Sequence, residues 1–188
     1  KKNMLAQMYG LRAYIYYTML KSWGDVPIVT EPLQNVDNLA ALRKARAPKA
    51  EVLAFIKQDI QRSLDLFNGN ENFYRDNVYW SKRATLILKG DVFLWSGKVL
   101  GGGTADFTEA KNALSQVSGS LVAYDKLWGI DNEKNAEFIF ALDYKKDEAE
   151  HFYKVTTARN TDVKDMYDDS GRKISSFLYV EGGNYHSP

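Results

Sequence analysis

Between residues 3 and 23 apolar side chains recur every three or four positions, and this spacing constrains the chain more than any other feature. Leu5, Met8, Leu11, Ile15, Met19 and Leu20, broadened by Tyr9, Tyr16 and Trp23, are predicted to line one face of a helix. The run halts at Trp23-Gly24, where glycine adopts the left-handed backbone of a helix stop without steric cost. Val26 precedes Pro27 and is pushed toward the extended region. "WGDVPIVTEPL" therefore reads as a rigid loop pinned by Pro27 and Pro32. Trp23 is expected to pack under that loop. Arg12 is expected to pair with Asp25 or a helix-end carbonyl, a role in the fold.

The same periodicity returns twice. A second helix is predicted to start at Pro48, tolerated in a first turn. Its stripe is Val52, Phe55, Ile56, Ile60, Leu64 and Phe67, and "NGNEN" ends it. A third covers about 81–99, capped by Ser81 and striped by Ala84, Ile87, Leu88, Val92, Trp95 and Val99. "GGGTAD" breaks it, and Asp106 with Glu109 forms a capping-box-like start for a short helix through Val117. The polar stretch 34–46 reads as loop. "EFIFALDY" is predicted to be a short strand. "TDVKDMYDD" suggests a helical turn and "SSFLYVE" a strand.

Helices in antiparallel pairs thus dominate, which makes internal repetition worth testing. Gly90, Phe93, Ala110, Leu114 and Val117 fall roughly where a tetratricopeptide unit wants its small and large residues, with extra residues at "GGGTA". Short side chains matter there because they let two helices approach closely. The predicted fold class is mainly α, with tetratricopeptide-like antiparallel helix pairs and a small irregular or β part. Residues 1–118 form the degenerate helical-repeat region and 119–188 an irregular region with short strands in the same domain.

Composition narrows function by exclusion. Lys plus Arg is 25 against 24 Asp plus Glu, a net charge of +1, so nothing asks for a nucleic acid. The absence of cysteine removes disulfides, thiolate metal sites and thiol nucleophiles. His151 and His186 stand far apart without a zinc-binding pattern. "GGGT" at 101–104 lacks the Lys-Ser or Lys-Thr of a phosphate loop, so it reads as a helix link. Asp165, Asp168 and Asp169 lack the ligand alternation of a calcium loop and read as a solvated acidic turn. No local signature supports paired carboxylates for glycoside cleavage. The expectation is a protein without catalysis, cofactor or metal.

Aromatic content points elsewhere. Aromatic residues make up 13% of the chain, with 12 Tyr and 4 Trp, enough to furnish both a core and a stacking surface. A carbohydrate has polar edges and apolar C–H faces, and rings beside Asn, Asp or Arg meet both. "FYRDNVYW" (73–80) and "YDKLWGI" (124–130) combine these elements. Trp80 and Tyr74 are the candidate stacking rings, Asn72, Arg75, Asp76 and Asn77 the polar partners, and Trp128 a third ring expected to share their surface. Against this, Tyr79 and Trp80 would equally cap the core where the third helix begins. The energies do not separate the two roles: burying a large side chain yields roughly 1.5–3 kcal/mol, and ring stacking about 1–3 kcal/mol. Trp95, inside a stripe, is expected in the core.

Several motifs together resemble one family. "LRAYIYYTMLKSWGDVPIVTEPL" is similar to the hallmark helix and loop of the SusD/RagB proteins, surface glycan-binding lipoproteins. "RAPKAEVLAFIKQDIQRSLDLF", "SKRATLILKGDVFLWSGK", "NEKNAEFIFALDY" and "DMYDDSGRK" resemble later family motifs in the right order, over about residues 4–173. The resemblance implies an α/α superhelix and an outer-membrane, surface-exposed lipoprotein that binds oligosaccharide and passes it to a SusC-like TonB-dependent transporter. Membrane attachment would come only through a lipid anchor absent from this chain. It further implies that the chain corresponds to the helical-repeat part of such a protein. The alternative is a helical-repeat module that binds a protein partner and no sugar.

Overall fold

A computed structural model describes residues 1–32, 43–132, 134–143 and 165–174. Among these residues four α-helices carry the fold: α1 (Lys2–Trp23), α2 (Lys49–Phe67), α3 (Lys82–Val99) and α4 (Gly103–Leu114). Local chemistry sets their ends. Gly24 turns to φ 69° and returns its N–H to the Leu20 carbonyl, closing α1. Asn68, left-handed at φ 45°, closes α2. The Ser81 hydroxyl accepts from the Ala84 N–H at 3.1 Å and caps α3.

The Gly-Asp-Val-Pro bend locks α1 to α2. Asp25 Oδ1 accepts the Lys49 N–H at 2.7 Å, so the acid after one helix caps the start of the next. Val26 is extended, as its proline neighbour requires, and its carbonyl accepts the Ala47 N–H at 3.0 Å in an antiparallel bridge. The Tyr16 hydroxyl accepts from the Val29 N–H at 2.8 Å. Three ties therefore hold the bend against the helices.

Contacts with descending and ascending residue numbers show that the helices run antiparallel. Along α1 and α2, Ser63 donates to the Ala6 carbonyl at 2.8 Å, Arg12 meets Asp59, and Tyr16 packs edge-on against Phe55 with centroids 5.0 Å apart. Along α3 and α4, Lys89 pairs with Glu109 at 2.9 Å, and Phe107 lies against Gly97. α2 also touches α3, where the Ser63 and Thr85 hydroxyls lie 3.0 Å apart. Tyr17, Leu20, Val52, Ile56, Ile60, Trp80, Leu88 and Val92 build the shared core.

Several sequence expectations are corrected. α1 does not bury Leu5, Met8 or Ile15; these are exposed, and Ala6, Gly10, Ala13, Tyr16, Tyr17 and Leu20 face inward. Small residues win that face because α3 and its cap approach closely: a Cβ on Gly10 would fall 2.1 Å from Trp80 Nε1. Ile87 and Val99, expected on the buried stripe of α3, are exposed as well. Trp23 lies 63% exposed instead of under its loop. Arg12 pairs with Asp59, not Asp25, through bonds of 2.6 and 2.9 Å. Asp59 is fully buried, and the guanidinium also covers the Tyr9 and Phe55 rings.

The short helix begins at Gly103 and ends at Leu114, not Asp106 to Val117. Asp106 therefore stands in its first turn, where it accepts both Lys57 from α2, at 2.9 Å, and the Ser96 hydroxyl from α3. It braces three helices and caps none. "EFIFALDY" forms no strand among the described residues; the Ala141 N–H instead donates to the Asn77 carbonyl at 3.0 Å. Small-residue contact does recur as the repeat reading expects: Gly90 faces Leu114, and Ala110 and Ala113 are buried.

The chain divides into two compact units, Lys1–Leu142 and Asp143–Pro188. Residues 119–142 belong to the first. In the second, the described residues 165–174 make a tight turn with an antiparallel Tyr167–Lys173 bridge. Asp168 accepts the N–H groups of Ser170 and Arg172 at 2.9 and 2.8 Å and the Arg172 side chain at 2.9 Å. The backbone bond from Arg172 leads in holding this carboxyl below its ordinary value. His151, His186, "SSFLYVE" and most of 34–46 lie outside the described residues.

Candidate surface site on the 70–80 loop

The chain between α2 and α3 is tied down at both ends, which makes it a platform. Glu71 accepts Lys82 at 3.2 Å and the Ser118 hydroxyl at 3.1 Å. The Lys82 hydrogen bond is the main cause that lowers the Glu71 carboxyl from its ordinary value. Asp76 accepts its own loop's Val78 N–H at 3.2 Å and Lys134 at 3.4 Å. Asn77 is 3% exposed and donates to the Phe138 carbonyl at 3.2 Å. Its Oδ1 has no partner among the described residues.

On this platform the Tyr74 and Tyr79 rings meet edge to face, with centroids 5.3 Å apart. The Arg75 guanidinium lies over both, 5.4 Å from the first centroid and 5.8 Å from the second. Tyr74 is 50% exposed, so the cluster offers solvent a ring with the Arg75 guanidinium over it. Cation–π contact and a weak bond to the Tyr79 hydroxyl at 3.5 Å orient the Arg75 head and leave its other donors at the surface.

The sequence-predicted residues thus divide. Tyr74 and Arg75 come together, Asp76 is committed to Val78 and Lys134, and Asn72 stands exposed in the same loop. Trp80 does not join them as an exposed ring. It is 4% exposed, donates its indole N–H to Thr85 at 2.7 Å, and packs edge-on against Phe140. Asn77, likewise buried, holds the 138–141 segment. Trp128 is 63% exposed, in a loop that Asn132 and Asn135 close on the Trp128, Lys126 and Leu127 carbonyls. Trp95 is half-buried against Tyr17. Sequence reasoning missed Tyr79 and Lys134. The first sat inside the flagged stretch, whereas nothing in the sequence joins Lys134 to Asp76, 58 positions away.

Among the described residues no three His, Cys, Asp or Glu side chains gather as a metal site. No helix of the described residues is long and apolar enough to cross a membrane.

Paired antiparallel helices with small-residue contacts and an aromatic, amide-rich surface loop define a degenerate helical-repeat scaffold. In sequence and fold the chain is SusD-like. No family model matches it. It is 23% identical over 176 residues to the SusD-like protein P25 of Formosa agariphila, covering 93% of this chain and 32% of that protein. Among solved structures, B. fragilis NanU is 33% identical with a TM-score of 0.72, covering 94% of this chain and 36% of its own. A SusD superfamily protein from Bacteroides vulgatus is 32% identical with a TM-score of 0.68, covering 93% and 37%. The chain spans about a third of the length of the relatives it matches.

Proposed function

We propose that this chain serves non-catalytic nutrient binding at the bacterial outer-membrane surface, taking up an oligosaccharide and passing it to a SusC-like TonB-dependent transporter. The supporting observation is its SusD-like sequence and fold over more than nine-tenths of its length, at 33% identity to NanU. In this reading the exposed Tyr74 ring stacks on a sugar face. Arg75, Asn72 and Asp76 supply donors and acceptors to its hydroxyls, and Trp128 is a further stacking ring. A lipid anchor would supply the membrane attachment.

Isothermal calorimetry against a panel of polysaccharides and oligosaccharides tests the reading. Saturable heats with one glycan class, reduced by Tyr74→Ala, are expected. Flat traces with every glycan would overturn it. A second reading, a protein-binding module without sugar affinity, is favoured by one observation: Met4, Leu5, Met8 and Ile15 of α1 face solvent. A partner retained in pull-downs regardless of added sugar would support that alternative.

A further inference from the structure

We propose that the open pocket between α1, α3 and residues 137–140 binds a small organic ammonium, an apolar body carrying one positive charge. The cavity measures about 390 Å³, within the range typical of small-ligand pockets. Tyr14, Trp80 and Phe140 line it together with Leu88. The Trp80 centroid is 5.8 Å from Tyr14 and 5.1 Å from Phe140. Because the Trp80 indole N–H is already given to Thr85, the ring contributes π surface and no donor.

The polar part of the lining decides the ligand's charge. Asp91 and Glu137 both line the cavity, and no Lys, Arg or His among the described residues does. Glu137 is held in place by the Val122 N–H at 2.9 Å. Lys21 approaches Asp91 only to 3.9 Å, with both side chains largely in solvent, so that pair offsets little of the negative charge. Carboxylates and ring faces both attract a cation. Apart from the Tyr14 hydroxyl, no side-chain donor among the described lining residues is uncommitted, so the lining offers ring faces and carboxylate acceptors, and a donor that also carries positive charge satisfies both. An anion would meet two like charges. This site is separate from the Tyr74 surface and does not depend on the glycan reading.

Calorimetric titration of the 188-residue chain with phenethylammonium, phenethyl alcohol and phenylpropionate tests it, since the three share a ring and differ in charge. Saturable binding of the ammonium is expected, about tenfold tighter than the alcohol, with no heat from the carboxylate. An Asp91→Asn, Glu137→Gln double variant should lose that preference while keeping the helical circular dichroism signal. If the double variant does not fold, Asp91→Asn alone, at a largely exposed side chain, should cut the preference several-fold. Equal affinity for ammonium and alcohol, absence of binding by all three, or a preference unchanged in the variants would overturn the proposal.

Discussion

Asp59 shows how much one residue carries here. It is wholly buried, receives two bonds from Arg12, and lies 3.7 Å from Arg62. The geometry is bidentate, which suits the planar guanidinium and a carboxylate. The Asp59 hydrogen bond leads in raising the Arg12 pKa above its ordinary value, against burial, which lowers it. Asp59→Asn should therefore destabilise the first unit by roughly 3 kcal/mol, read from urea unfolding, because a charge is left without its partner.

Asp106 carries a pH dependence at the same scale. Burial works to raise its pKa, but bonds from Ser96 and Lys57 and the lysine charge together outweigh burial and lower it below 3.8. A lowered folded-state value means that stability is present above the ordinary carboxylate range and is lost as pH falls through the folded value. Thermal melts should show wild-type Tm dropping below about pH 4, with a shallower slope in Asp106→Asn, which has no such proton to gain.

At the scale of helices, the ends of α1, α2 and the start of α3 were legible, whereas the bounds of α4 and the inward face of α1 were not. Gly24, Pro48 and Ser81 act through their own backbone chemistry, so each marks its helix end from sequence. Ser81→Ala should cost about 1 kcal/mol in chemical denaturation, the usual value of a lost cap. The inward face of α1 obeys another rule. This helix is apolar nearly all round, so periodicity has no contrast from which to choose a side. The choice falls to close packing, where Gly10 alone admits the Trp80 indole. Gly10→Ala should cost about 1–3 kcal/mol and disturb the Trp80–Thr85 bond, seen as a shifted indole N–H resonance. By contrast α2 has a polar outer face, and its predicted stripe is the one the structure buries or half-buries throughout.

For the molecule as a whole, five motifs in order carried the family likeness, although each alone is common chemistry. The surface site was only half legible. Tyr74 and Arg75 meet because they are neighbours in the chain, and Tyr79 joins them from the same loop. Trp80 lies only a few residues on, yet it serves the core, because its ring fills the space that Gly10 opens. A ring's role depends on what packs over it, and that is set by residues far off in sequence. Under the glycan reading, Tyr74→Ala should weaken sugar affinity by about 1–3 kcal/mol with Tm unchanged, whereas Trp80→Ala should lower stability by about 3–5 kcal/mol. Paired calorimetry and melting curves distinguish these outcomes.

The ties at Val26–Ala47 and Asp25–Lys49 have a consequence for how this scaffold can diversify. They seal the neck of the excursion between the first two helices, so its contour can lengthen without altering their register. Doubling such a span costs only about 0.6 kcal/mol of closure entropy. Foreign sequence grafted there should leave the neighbouring helices undisturbed, making this neck the natural port for new recognition elements.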